Sequence, residues 1–304
     1  MFETFKNRLE ITGTLTTITA LRVGQGRSTE PIGSDLPVMK DALGRPMIPG
    51  SSFKGAMRSR LEAFLRGIDE TLAANPTLES EWSITNERLN GRNGIKVEIE
   101  AQLKELYPKE NESSKRAGKR DELLTKAILA ETDLASLVFG SPWLSSKVQI
   151  RDLLVDADAW FGQYQERDGV SIDRDTETAS DGKLYDFQVV PAGTPFEFKA
   201  VVENAEDWEL GLLMVGLCQF ENEMIPLGGG RSRGLGVVRL SLDEMIWVNP
   251  SNPQELIEYL QHLVEGQLQS YIKTPQQIEE LKQSWSMALL NHLTQLSTEE
   301  RVHA

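Results

Sequence analysis

Between Leu9 and Leu21 apolar residues interleave with threonines, a partial alternation that predicts a strand. Val23 to Gly50 is rich in Gly and Pro and reads as a loop. The period then changes. Phe53, Met57, Leu61, Phe64, Leu65 and Ile68 recur at helical spacing, which predicts an amphipathic helix with Ser51 or Ser52 as its N-cap. Residues 75–120 are polar and heavily charged and read as an insertion or mobile loop with some helix. Helical spacing returns from Asp121 to Val138 and stops at Phe139-Gly140-Ser141-Pro142.

The second half repeats the alternation of elements. Val148 to Val155 reads as a strand, and the polar stretch 162–183, flanked by strand-like segments, reads as a projecting hairpin. Tyr185–Val190 and Phe196–Val202 are strands around a turn at Pro191–Thr194. Trp208 to Phe220 is apolar at helical spacing, and Val237–Leu240 is a strand. Two helices close the chain, Pro253–Val264 and one opening at Thr274 (N-cap) and Pro275 (N1). Strand, helix, strand in each half predicts an α+β protein with helices on one face of antiparallel sheets.

The 304 residues are 39% hydrophobic and 26% charged, the balance of a globular chain large enough for one sizeable or two small domains. No charged-then-apolar leader opens it, and no apolar run reaches the roughly 18 residues of a membrane helix, so the expected compartment is the cytoplasm, with no membrane partner. The lone cysteine, Cys218 in Leu-Met-Val-Gly-Leu-Cys, excludes an internal disulfide and reads as a buried small hydrophobe. A net charge of −14 argues against simple nucleic-acid binding. The charge is uneven, however. Residues 1–65 carry nine Lys/Arg against six Asp/Glu, and residues 240–304 carry three against nine. A local basic groove is compatible with that distribution, with the acidic tail facing solvent or a partner.

The densest candidate chemistry is Leu227-Gly-Gly-Gly-Arg231-Ser-Arg233-Gly-Leu-Gly236. Glycine permits close backbone approach, and arginine is the common bidentate partner of phosphate. The loop lacks the Gly-Lys-Ser/Thr of a P-loop and the spacing of a dinucleotide fingerprint; a tight helix-to-strand turn is the alternative. Far away in sequence, Gly50-Ser51-Ser52-Phe53-Lys54-Gly-Ala-Met57-Arg58 places basic residues in the first turns of a helix, where free N–H groups favour anions. The first histidine is His262, so histidine acid–base chemistry at these loops is not expected, and no serine sits in a nucleophile elbow. Asp35 lies in the first Gly/Pro loop, near Glu30 and Asp41. A loop carboxylate beside a phosphodiester suits a divalent cation; a turn-forming aspartate is the alternative.

These motifs, in this order, resemble the RAMP superfamily of CRISPR proteins, and within it the backbone subunit of type III effector complexes. The resemblance rests on Gly33-Ser-Asp35-Leu-Pro-Val38, Gly44-Arg-Pro-Met-Ile-Pro-Gly50 running on to Arg58, Val138-Phe139-Gly140, and Val170-Ser-Ile172-Asp173-Arg174. It continues through Gly182-Lys-Leu-Tyr185, Val189 to Phe196, and Gly228 to Gly236. It implies a ferredoxin-like, RNA-recognition-type core over residues 1–245. Residues 162–183, with Ile172, Asp173 and Arg174, would be a thumb-like hairpin intruding into a guide–target duplex, and 246–304 an acidic helical extension. Guide (CRISPR) RNA would be held by Arg22, Ser51, Ser52, Lys54, Arg58, Gly228, Gly229, Gly230, Arg231 and Arg233. Asp35 falls where cleaving members carry the aspartate that, with Mg2+ or Mn2+, cuts complementary target RNA. Other RAMP subunits and a large effector subunit would be partners. Arg22 stands where members often carry histidine, and neither the 75–120 insertion nor the acidic tail follows from the core pattern. Two readings follow, a metal-dependent endoribonuclease subunit and a guide-RNA scaffold without chemistry. A nuclease that processes precursor guide RNA ranks last, because those usually need histidine near the first helix.

Overall fold

The computed structural model describes residues 4–26, 35–107, 113–169 and 185–303. Strand β1 (Arg8–Thr17) leads through the first loop and the two-residue β2 (Met47–Ile48) into α1 (Gly50–Ile68). Four helices follow: α2 (Asn86–Asn90), α3 (Ile95–Leu106), α4 (Ser113–Glu131) and α5 (Leu134–Phe139). Then come β3 (Val148–Ile150), β4 (Leu153–Leu154), β5 (Gln165–Gly169), β6 (Tyr185–Val189), β7 (Pro195–Glu203), α6 (Asp207–Glu221), β8 (Val238–Val248), α7 (Pro253–Glu265) and α8 (Pro275–His303).

The main sheet has the order β3-β7-β1-β8, with each neighbouring pair antiparallel. Alternation on β1 turns Leu9, Ile11 and Leu15 into one fully buried row. Helices α1 and α6 pack over this row. The Phe53 ring of α1 stacks 4.1 Å from Phe220 of α6 and lies 5.1 Å from Phe198 of β7. Phe53, Met57, Leu61 and Leu65 face the core, while Phe64 and Ile68 are exposed. Their spacing is helical, but they fall outside the arc that meets the sheet.

Several expectations need correction. The N-cap of α1 is Pro49, not Ser51 or Ser52, and both serines lie in the first turn. Gly50 N–H is satisfied instead by Asp152 Oδ1 at 2.8 Å. A side chain at Gly50 would collide with Ile150 O at 2.2 Å, so the close approach of α1 to that strand requires glycine. The described residues of 75–120 are largely helical, more so than the expected loop with some helix. Ile84, Leu89, Ile95, Ile99, Leu103 and Ile128 form a separate apolar core there, and Arg88 joins Glu98 to Glu131 across it. The helix expected at 121–138 is two helices, because Asp133 accepts from Ser136 N–H and starts α5 afresh. Cys218 is exposed, not buried. Helix α6 is buried nearly all round, and Cys218 lies with Val215 and Asn222 on its one outward stripe.

The strand expected at 237–240 continues to Val248, past the residue-245 boundary. Trp285 and Leu289 of α8 belong to the main core, with Trp285 edge-on to Trp247 at 5.3 Å. Thr274 caps α8 as expected, accepting from Gln277 N–H at 3.3 Å. His262 and His292 are both half-buried against aromatic rings, Tyr271 and Trp208 respectively. Just before β3, buried Lys147 pairs with buried Glu209 in the first turn of α6, 2.6 Å from Nζ to Oε1. No helix among the described residues is long and apolar enough to cross a membrane.

Candidate nucleic-acid interface

The glycine-rich loop leaves α6 and enters β8. Its arginines sit on a single 3-10 turn, Arg231–Arg233, bracketed by left-handed Gly230 and Gly234. At Gly228 φ is +73° and a Cβ would lie 2.1 Å from Arg22 O, so only glycine lets the loop close on the end of the first strand segment. Gly229 N–H donates to that same Arg22 O at 2.8 Å. The result presents Arg231, Ser232 and Arg233 to solvent. Arg231 Nε donates to Gly228 O at 3.1 Å, and Arg233 Nη1 donates to the Tyr185 hydroxyl at 2.9 Å.

This loop meets one face of α1. A groove of about 510 Å³ is lined by Ser52, Gly55, Ser59 and Arg60 from the helix and by Gly228 and Arg231 from the loop. The small residues open the space, and two guanidinium groups border it without a carboxylate in the lining. Arg60, fixed by a 3.0 Å bond to Gln219 Oε1, was missed by motif reading. Its signal was its place on the same polar arc as Ser52, Gly55 and Ser59.

Lys54 and Arg58 point elsewhere. Lys54 Nζ donates to Ser146 Oγ at 2.6 Å and Val148 O at 3.0 Å. Burial, then repulsion from Arg58, pushes the Lys54 ammonium down to about 8. Arg58 uses all three of its nitrogens internally, on Glu62 Oε1 (2.6 Å), Gly140 O (2.9 Å) and Ser136 Oγ (3.2 Å). Ser51 is exposed beside the helix start. The structure thus joins Ser52 to Gly228 and Arg231, and separates Lys54 and Arg58 from them.

Arg22 and Asp35 converge on the far side of the loop. The Arg22 guanidinium lies 5.4 Å from the Phe187 ring centroid, and its buried Nε has no partner among the described residues. Phe187, Val189, Ala20 and Leu235 form a small apolar cluster, with Leu36 and Tyr185 packed against it. That cluster gathers the glycine-rich loop, strand β6 and the segment after Asp35. Leu36 N–H donates to Asp186 O at 3.2 Å and Leu36 O accepts from Gln188 N–H at 3.1 Å, and Asp35 is exposed, accepting from Asp186 N–H at 3.4 Å. The Asp186 carboxyl is pushed up by a hydrogen bond with Asp168 and by burial, with Asp35 and Glu166 adding repulsion. Asp41 is a turn former, accepting from Leu43 N–H, Arg45 N–H and Arg45 Nε, and these bonds hold its carboxyl below the usual range. Among the described residues no three His, Cys, Asp or Glu side chains are grouped to hold a metal. Strands β5 and β6 pair from Gln165↔Val189 to Gly169↔Tyr185. Ile172, Asp173 and Arg174 lie outside the described residues, as does Glu30.

Comparison with known proteins adds sequence relationships to this geometry. Three curated relatives carry the name "CRISPR system Cms endoribonuclease Csm3". The Mycobacterium tuberculosis protein is 39% identical over 92 residues, 28% of this chain and 39% of that protein. The Enterococcus italicus protein is 46% identical over 57 residues, 18% of this chain and 27% of that protein. The Methanocaldococcus jannaschii protein is 42% identical over 60 residues, 19% of this chain and 24% of that protein. The matched stretches therefore span well under half the length of each relative. The model of the RAMP superfamily matches residues 14–239, from within β1 into β8, and the chain belongs to that superfamily.

Proposed function

We propose that this chain is a guide-RNA-binding backbone subunit of a cytoplasmic type III CRISPR effector complex that cuts complementary target RNA at Asp35. The observation that carries the reading is the convergence of the basic glycine-framed loop, Arg22 and the Asp35 segment on one apolar cluster. Family membership and the names of the relatives point the same way. The strand order β3-β7-β1-β8, with α1 and α6 as crossovers, supports a ferredoxin-like core. The β5–β6 ladder supports a thumb rooted beside Asp35. Other RAMP subunits and a large effector subunit would complete the assembly.

Arg231, Ser52 and Arg60 would hold guide phosphates in the groove, and Arg22, whose Nε has no partner among the described residues, would hold another beside Asp35. Phosphate contacts position RNA without reading its sequence, so affinity should be salt-dependent and sequence-tolerant. Among the described residues Asp35 accepts one long hydrogen bond, which leaves oxygen lone pairs open. Asp35 would hold Mg2+ or Mn2+ through this one carboxylate, as magnesium sites with few protein ligands do. When bound, the cation supplies neutralisation of charge developing on the phosphate and leaving oxygen. The reaction would be attack of the RNA's own 2′-hydroxyl on the adjacent phosphorus, displacing the 5′-oxygen, with Asp35 fixing the cleavage position.

The test uses the guide-loaded complex and labelled complementary RNA, with and without Mg2+, for wild type and Asp35→Ala. Metal-dependent cuts lost in the variant, with guide binding kept, support the cleaving reading. The bond that Asp35 accepts from Asp186 N–H favours a second reading, a scaffold in which Asp35 only shapes its loop. RNA bound equally by both proteins and left intact would favour the scaffold.

A further inference from the structure

A second cavity, of about 490 Å³, flanks the other face of α1, where the helical insertion meets the core. Its volume is that of a small-molecule site. Two tryptophans line it, Trp82 from the insertion and Trp143 from the loop after α5. Their indole N–H groups are already used, on Pro76 O at 3.2 Å and Ile84 O at 2.8 Å. What the rings offer a ligand is therefore aromatic surface.

The remaining lining is hydroxyl-rich and electropositive. Six Ser and Thr residues contribute to it, including Ser141, Ser145 and Ser146, and Arg58 is the one charged lining residue; no Asp or Glu takes part. Behind this wall the cations Arg58, Arg66 and Lys54 outnumber the carboxylates Glu62 and Asp133, and buried Asp133 is held by the Ser83 hydroxyl and Ser136 N–H. Glu62 is the carboxylate for both Arg58 and Arg66. Lys54, bonded to Ser146 Oγ and Val148 O, has no carboxylate partner among the described residues. Burial and the nearby Arg58 have already pushed its ammonium down to about 8. An anion in the cavity would relieve that excess. A nucleotide combines a flat aromatic ring with an anion and is of a size for this space.

We propose that this cavity binds a nucleoside monophosphate unit, its base against Trp82 and Trp143 and its phosphate toward Arg58 and the Ser141–Ser146 hydroxyls. The unit is either a free mononucleotide or one nucleotide turned out of a bound RNA. The assignment stands apart from the groove on the opposite face of α1, whose RNA reading can fail without affecting it.

The experiment is equilibrium dialysis of the full chain against labelled AMP, with adenosine and inorganic phosphate as competitors. Trp82→Leu and Ser145→Glu are run beside wild type, each with a thermal melt. Ser145 is exposed, so its substitution places a repelling charge at the cavity without disturbing the core. Arg58 is left intact because it holds α1 to α5. Saturable AMP binding is expected, with adenosine and phosphate competing at least tenfold more weakly. Each folded variant should bind about 10-fold more weakly, through the loss of one base stack or the addition of one repelling charge. No saturable AMP binding would overturn the proposal. Phosphate competing as well as AMP, or a folded pair of variants binding like wild type, would overturn it too. Adding an unlabelled single-stranded RNA then identifies the source. Displacement of AMP assigns the site to a nucleotide of RNA, and undisturbed AMP assigns it to the free nucleotide.

Discussion

Replacing Arg58 or Arg231 by alanine removes the same charge, but the two losses should appear in different measurements. Arg58 is mostly buried and donates to Glu62 Oε1, Gly140 O and Ser136 Oγ. Glu62 is only 4% exposed, and after the substitution it keeps one partner, Arg66, at 2.9 Å. Breaking a buried pair outright costs about 3–5 kcal/mol. Arg66 offsets part of that, while two buried acceptors on the α5 side lose their donor, so about 2–4 kcal/mol is expected. For a chain of this size the melting temperature should fall by roughly 5 °C or more. Arg231 is exposed and among the described residues makes one bond, to Gly228 O. Its removal should change stability by no more than about 0.5 kcal/mol. The slope of log K against log salt for single-stranded RNA should fall by about 0.7, one phosphate contact. Thermal melts and RNA anisotropy titrations at four salt concentrations measure both. An Arg58→Ala protein that melts like wild type yet loses RNA would refute the assignment of Arg58 as an internal strut. An Arg231→Ala protein with an unchanged salt slope would remove Arg231 from the phosphate contacts.

Two further outcomes follow from buried charge. Lys147→Met strands Glu209, whose carboxyl burial already pushes up, and should destabilise by about 3–5 kcal/mol at neutral pH. The penalty should shrink toward pH 5 as Glu209 takes a proton, and adding Glu209→Gln should recover most of it; chemical denaturation that shows simple additivity would contradict the pairing. Lys54 has a folded value of about 8 against an ordinary 10.5, so between those limits the unfolded chain binds more protons. Its contribution therefore makes wild-type stability rise as pH climbs through that window, relative to Lys54→Met. Parallel denaturation curves for the two proteins at pH 7, 8.5 and 10 would show Lys54 to be solvated.

Periodicity located the elements wherever one face of an element meets the core. β1 shows this best, since its buried row is the Leu/Ile row of the sequence. It failed where burial has another source. Ile84, Leu89, Ile95, Ile99, Leu103 and Ile128 bury a core of their own against one another, so the charged positions around them hid the Ile84–Leu103 pattern. Helix α6 is apolar almost all round, which left no contrast to show that Cys218 faces out. Asp133 was the visible sign that the helix after 121 restarts, an N-cap in mid-pattern followed three residues later by the N–H it accepts.

The glycine-rich loop was legible because glycine and arginine carry meaning without a partner in view. The helix that faces it was harder to read, and the reason is angular. Ser52 and Lys54 are adjacent in a motif but about 200° apart on an α-helix, while Lys54 and Arg58 share a side. Ser52, Gly55 and Ser59 lie within one turn-to-turn stripe, and Arg60 lies at its edge. Reading the motif as a single basic patch merged two opposite faces. The face with Ser52 and Arg60 is the one that meets Arg231, and the face with Lys54 and Arg58 meets the loop after α5. A helix that divides its polar residues in this way separates two cavities with different chemistry, one framed by glycine and arginine, the other by tryptophan and serine. Substitutions on one face should therefore leave the other site's affinity unchanged, provided the helix itself stays folded.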